Sequence, residues 1–309
     1  MKTKTSKLPL GYRIPEQLRS EFRQYQTTNT ARSLLVILGD YLLIAASAAA
    51  AILVADRLHF VFAVLIHLPV GLLIARALRG LEVMVHVGSH YNISRNRKVN
   101  DAIANFLCAW PSFSLLSRYR KFHLPHHTRF GTHADPDRAR FEKMGFAELS
   151  RTRPRRFFSQ IFKLVPRYLF DWYSVIGSDP WTLLAGLGSH TLLFLLPLGL
   201  IFSSVGTAVM LWLLYIVLPL VLVLPVLRII AEAAEHNYRE DNIFDASYTN
   251  DGWVHWLLHP HNDGLHVLHH LVPAIPHHHL RQAQRFLEEK DQEAYRKRMR
   301  QRHSIFDNP

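Results

Sequence analysis

Four long apolar runs, at residues 34–55, 58–75, 183–202 and 207–227, dominate the alternation of hydrophobic and polar positions. Each approaches the roughly 20 residues that a helix needs to cross about 30 Å of hydrocarbon. None follows a short basic segment with a small-residue cleavage site, so none reads as a removable signal peptide. The pattern predicts an all-α integral membrane protein with four transmembrane helices.

The runs pair as two hairpins. Asp56 and Arg57 join the first two, and residues 203–206 join the last two. Both connections are too short to hold a domain, so nearly all polar sequence falls on one side. That side carries residues 1–33, with seven Lys/Arg against two Glu, and the Arg-rich regions 76–182 and 228–280. Positive charge marks the cytoplasmic face. The expected organisation is therefore a cytoplasmic N-terminal segment 1–33, a membrane domain 34–280 with a cytoplasmic helical cap, and a charged C-terminal tail 281–309. Both termini are expected in the cytoplasm, with the inner membrane of a bacterium as the expected location.

Shorter patterns refine this frame. Residues 102–116, "AIANFLCAWPSFSLL", are apolar but short and interrupted by Pro111, which fits a re-entrant or interfacial element better than a span. Residues 151–173 mix Arg and Lys with Phe, Tyr and Trp, the composition of a helix lying among head groups. The closing stretch, "RQAQRFLEEKDQEAYRKRMRQR", predicts a solvated helix or a fraying tail. The formal net charge of +12 reads as topology and contact with anionic head groups. No nucleic-acid recognition motif accompanies it, so nucleic acid is not an expected partner. The single cysteine, Cys108, cannot form an internal disulfide, which fits a reducing compartment.

The candidate chemistry lies in the 20 histidines. His86 and His90 follow the second run without a helix breaker before Gly88, and a spacing of four puts both rings on one face. His123, His126 and His127 form a second cluster, and His266, His269 and His270 a third. The adjacent pairs fan out by about 100° per residue, a geometry able to serve two neighbouring metals. His236 is placed on the expected continuation of the fourth run. At about 1.5 Å per residue, His86 and His90 lie roughly 16 and 22 Å beyond Ala75, and His236 roughly 13 Å beyond Leu227. Two independent spans thus deliver imidazoles to similar heights. Nine are too many for one zinc, which takes four ligands. Imidazole suits iron, copper, zinc and nickel. The zinc-protease pattern needs Glu directly after the first His, where "HVGSH" has Val87.

These residues resemble the membrane fatty acid desaturase/hydroxylase superfamily. Its boxes HxxxH, HxxHH and HxxHH are matched by "HVGSH", "HLPHH" and "HVLHH", with neighbouring similarity in "HLPHHTRFGTHADPD", "AEHN" and "HVLHHLVPAIPHHHL". The resemblance covers roughly residues 80 to 280. It implies two non-haem irons held by His86, His90, His123, His126, His127, His236, His266, His269 and His270. Acyl-CoA desaturases of this family place Asn one turn before the lone histidine, where this chain has Glu232. Glu232 could ligate the metals or pair with Arg228. Asp135, Asp137, Glu235, Asp263 and His261 are candidates to orient the imidazoles.

The implied chemistry is O2-dependent attack on an unactivated C–H bond, giving an alkene or an alcohol. The leading expectation is desaturation of a fatty acyl chain. Hydroxylation of a lipid or carotenoid, oxidative decarboxylation to a terminal alkene, and desaturation of a small amphiphile are the alternatives on the same scaffold. The 309 residues leave no room for a fused electron-transfer module. A separate donor of ferredoxin, rubredoxin or cytochrome b5 type, with its reductase, is therefore expected. Other classes fit less well. A transporter needs ionisable groups along a path, and the spans offer Asp40, His67 and His190. A metal-dependent lipid hydrolase would act without O2 or reductant. His133, His255 and His259 lie near the boxes without their spacing. His277, His278 and His279 follow Pro273 and Pro276, and their consecutive placement reads as a new helix start rather than a metal box.

Overall fold

The computed structural model describes residues 7–55, 57–177, 179–238 and 240–306. Asp56, half of the expected first connection, lies outside the described residues. Among these residues four helices are long and apolar enough to cross a membrane: Thr30–Ala55, Phe60–Ser89, Pro180–Phe202 and Val205–Glu235. Among the described residues, strand structure is limited to β1, Thr249–Asn250, paired in parallel with β2, Gln301–Arg302.

The first span buries Ser33, Ile37, Asp40, Ile44, Ser47 and Ala51. Their alternating spacings of four and three trace one face of a helix. Leu35, Leu38, Leu42 and Leu53 on the other side are exposed, as a lipid-facing surface requires. The buried face packs on the second span, where Gly80 meets Asp40. A Cβ at Gly80 would stand 2.4 Å from Asp40 Oδ2. That close approach lets the Asp40 carboxylate accept hydrogen bonds from Arg76 (3.1 Å) and from His261 Nε2 (2.7 Å).

The second and fourth spans do not stop where the apolar runs stop. The helices continue past Ala75 to Ser89 and past Leu227 to Glu235, because Arg, Ala, Leu and Glu sustain a helix and no proline intervenes. Between the last two spans, Ser203 adopts the left-handed region (φ 49°) and Ser204 caps the next helix by accepting from the Thr207 N–H. The intramembrane histidines tie elements together. His67 Nε2 stands 3.2 Å from Tyr215 Oη, and His190 receives Trp212 Nε1–H at 3.0 Å while its own Nε2–H reaches the Pro111 carbonyl at 2.9 Å.

The proline-interrupted stretch is irregular, as its sequence suggests. The helix Arg97–Ile103 widens into a π-helical turn at Ala104–Ala109 and ends in a tight turn at Trp110–Ser112. Phe113 then packs where any side chain at Gly186 of the third span would clash. The helix Pro154–Gly177 buries Phe157, Ile161 and Tyr168 and exposes Phe158, Phe162 and Phe170 among its Arg and Lys residues.

The C-terminal end departs from the solvated helix or fraying tail that its charge suggests. The helix His277–Lys290 is followed by a buried Tyr295 and by β2, whose Arg302 lies over the Tyr248 ring at 3.4 Å. Phe306 packs on Phe157. Charge misleads here because Arg302 is itself buried, its guanidinium stacked on Tyr248 and donating to the Ala234 carbonyl.

Candidate metal centre

Nine imidazoles converge around the polar ends of the second and fourth helices. His86 and His90 come from the second span's extension, His90 being its C-cap. His123, His126 and His127 lie on the helix Leu116–Arg129, and His266, His269 and His270 on the short helix His266–Leu271. His236 differs from its expected place on a helical continuation. The helix ends at Glu235, and His236 is extended (φ −131°, ψ 156°), bridged to Ser247. Leaving the helix lets its ring turn into the centre with Nδ1 3.1 Å from Ser247 Oγ.

The boxes do not map one to a site. His86, His90, His123, His127 and His269 form one group, and His126, His236, His266 and His270 another. The adjacent pairs 126/127 and 269/270 each send one ring to each group, as a 100° fan allows. Within the first group Nε2–Nε2 separations run 2.8 Å (His86–His269), 3.1 Å (His269–His127), 3.1 Å (His127–His123) and 2.8 Å (His123–His90). In the second they are 3.0 Å (His236–His266), 3.2 Å (His266–His270) and 3.2 Å (His270–His126).

These distances fit metal ligation. Two nitrogens bound at right angles to one metal at ~2.1 Å stand about 3.0 Å apart. The tautomers agree. His86 Nδ1–H donates to Asp263 Oδ1 at 2.9 Å and His126 Nδ1–H to Asp135 Oδ1 at 3.0 Å, which leaves their Nε2 lone pairs pointing inward. Lone pairs gathered face to face repel unless a cation lies between them. Burial pushes His90 down to about 2 and His266 down to about 3, and holds His123, His127, His236, His269 and His270 well below the usual imidazole range, with neighbouring imidazoles adding to the effect. These rings are neutral at pH 7 and need lose no proton to bind a metal. His126 is the exception. Burial lowers its pKa, but Asp137 and Asp135 outweigh that and raise it.

The other candidates separate clearly. Asp135 is fully buried and caps the helix Pro136–Met144 while holding His126. Asp137 Oδ2 lies 3.6 Å from His126 Nε2. Asp263 joins His86 to Arg79, and Glu235 lies 3.8 Å from the same Arg79. Glu235, His259 and Asp263 form a third group with metal-ligand reach, but the Arg79 guanidinium already supplies the cation between the two carboxylates. His261 joins neither imidazole group, its Nε2 being spent on Asp40. Glu232 is also outside both. Its carboxylate accepts from Arg140 Nε at 3.1 Å and from Tyr168 Oη at 2.6 Å. Nor does it pair with Arg228 by a direct contact, because Arg228 turns to Glu82. His133 is exposed. His277 approaches Ser33 Oγ at 3.3 Å and begins the helix His277–Lys290 with His278 and His279.

A cavity of about 320 Å³ opens onto both groups, touching His86 and His123 of one and His126, His236 and His266 of the other. Its walls join Phe113, Phe122, Phe146 and Trp172 to Arg79, Glu82, Arg140, Arg228 and Glu232. This polar network was not legible from box spacing. Its one sequence signal is the series Arg79, Glu82 and His86, spaced three and four along the second span's extension.

A helical chain with four membrane-capable helices and two imidazole groups facing one cavity has the make-up of a histidine-box membrane protein, and its histidine groups are compatible with metal binding. The family model for fatty acid desaturases matches residues 58–303, and the chain belongs to the fatty acid desaturase family. No curated protein matches the chain at a significant level.

Proposed function

We propose that this protein is an O2-dependent desaturase of a fatty acyl chain or related lipid, acting through two irons held by the nine histidines. The observation that carries the reading is the division of nine inward-facing imidazoles, seven of them buried, into groups of five and four, with members of both groups lining one cavity. When bound, the irons supply the O2-dependent oxidation of an unactivated C–H bond. Asp263 and Asp135 accept the outer N–H of His86 and His126 and hold those rings in orientation. Tyr168 and Arg140 fix Glu232 on the opposite wall. The aromatic side chains around the cavity exclude water and align the substrate, where an error on the order of 1 Å can cost about a hundredfold in rate. The reading places the imidazole groups on the cytoplasmic side of a bacterial inner membrane, with both termini there, and calls for a separate small redox protein as electron donor. The N-terminal segment 1–33, membrane domain 34–280 and C-terminal segment 281–309 remain the proposed divisions.

The charged cavity wall favours a second reading, in which the substrate is a small amphiphile whose polar group enters beside the metals. Bare hydrocarbon against Arg228, Glu82 and Glu232 would desolvate polar groups without replacing their hydrogen bonds. The test is to purify the protein with its metals, measure iron, and profile products from candidate lipids with O2 and a ferredoxin-type reductant. About two irons per chain and an O2-dependent product that disappears in His269→Ala are expected. Product that persists in that variant, or without O2, would overturn the reading.

A further inference from the structure

The two imidazole groups are unequal. One brings five nitrogens and the other four, so the second is one donor poorer. We propose that Asp137 is the anionic ligand that completes the four-histidine site, an assignment that rests on the two-metal reading above.

The local chain geometry sets this up. Asp135 caps the helix Pro136–Met144, accepting from the backbone N–H of Asp137 at 3.0 Å and of Arg138 at 3.4 Å. The same carboxylate takes the Nδ1–H of His126. The first turn of that helix then brings Asp137 to the other edge of the same imidazole. Asp137 Oδ2 stands 3.6 Å from His126 Nε2, and that Nε2 lies 3.2 Å from His270 Nε2 within the four-histidine group. One imidazole is thus bracketed by two carboxylates, Asp135 on its outer nitrogen and Asp137 on its inner one.

Electrostatics requires something between them. With Nδ1–H donated to Asp135, His126 Nε2 presents a lone pair, and the facing carboxylate oxygen presents another. Acceptor against acceptor is unfavourable, so the gap takes a positive charge, either a proton on His126 Nε2 or a metal ion in its place. The arginines nearest in sequence do not fill it, because Arg138 bonds Glu142 and the Gly131 carbonyl, and Arg140 bonds Asp171 and Glu232. The Asp137 side chain is 44% accessible and opens onto the main cavity. Among the described residues it makes no side-chain hydrogen bond that a swing toward the site would break. Glu232, at the position that sequence similarity singles out, is instead held by Arg140 and Tyr168. A carboxylate on one metal and only imidazoles on the other would make the two sites chemically distinct, the anionic one favouring the more oxidised ion.

Cobalt(II) loading of the full chain in nanodiscs tests this without turnover, because the intensity of its visible bands falls as coordination number rises. The wild type should hold two cobalt ions against a competing chelator. Asp137→Ala should retain the first and weaken the second at least tenfold, with stronger visible absorption from the second, lower-coordinate ion when cobalt is supplied in excess. Asp137→Asn, nearly isosteric, should weaken the second ion in the same direction and guards against a folding defect in the alanine variant. Glu232→Gln should leave both ions and the spectrum in place. The assignment is overturned if both Asp137 variants hold the second ion as tightly as wild type with an unchanged spectrum. It is equally overturned if Glu232→Gln is the variant that loses it. A wild-type protein that binds no pair of metals would sink the two-metal reading instead.

Discussion

Adjacent histidines with separate destinations are the central fact at the residue scale. His126 and His127 differ by one position, yet one faces His270 and the other His123 and His269. Each ring depends on what holds its outer nitrogen. Asp263 is the partner of His86 and is itself anchored by Arg79. Removing such an orienting group typically costs 10–100-fold in metal affinity. Asp263→Ala is therefore expected to weaken metal binding at the five-histidine group by about that factor and to spare the four-histidine group. Chelator competition resolves the two affinities, and equal loss at both groups, or none, would contradict the role assigned to Asp263. The run His277–His279 shows the converse. Three consecutive histidines are more conspicuous in sequence than any box, but they open a helix and none of them joins either imidazole group.

At the scale of elements, the centre depends on how closely the spans pack. Gly80 permits the second span to lie against the Asp40 carboxylate, whereas a Cβ at Gly39 on the first span would meet nothing within 4 Å. Overpacking a fitted interface costs typically 1–3 kcal/mol. Gly80→Ala should lower the thermal midpoint of the detergent-solubilised protein accordingly. Gly39→Ala should leave it unchanged or raise it, because alanine favours the helix and finds open space. Equal midpoints for the two variants would show that the Asp40 contact does not fix the spacing of these helices. The overrun of the second and fourth spans belongs to this scale too. Both helices carry their chains well beyond the apolar stretch, and that length brings His86, His90 and His236 to a common level.

Over the whole molecule, gathering neutral imidazoles in a buried centre makes stability depend on pH. His90 and His266 are held near 2 and 3 by burial, against an unfolded value of ~6.5. Between those limits the unfolded chain binds more protons, so stability rises with pH. The contribution is complete above about pH 6.5 and is lost as pH falls, by roughly 1.4 kcal/mol per unit for each such imidazole. His126, Asp137 and Glu235, with raised pKa values, work the other way but are outnumbered by the depressed imidazoles. The metal-free protein should therefore show a thermal midpoint that drops between pH 7 and pH 5. A midpoint that is flat or rises over that interval would show that the imidazoles are not held neutral in the folded centre.

What the sequence determined by itself follows from local physics. Hydrocarbon thickness makes the four apolar runs visible, and helical periodicity makes the boxes His86/His90, His123/His126/His127 and His266/His269/His270 visible, because both are set by residues near one another in the chain. The irregular backbone at Pro111 and the amphipathic helix over 154–177 were legible for the same reason. Only the tertiary structure decided how nine imidazoles divide into five and four, since that division cuts across every box. It also decided that Glu232 serves Arg140 and Tyr168, that His261 serves Asp40, and that Asp137 stands beside His126. Each of these contacts joins residues whose pairing depends on the packing of separate elements. A carboxylate's partner is chosen by whichever cation or donor that packing brings near, and spacing along the chain carries no record of it.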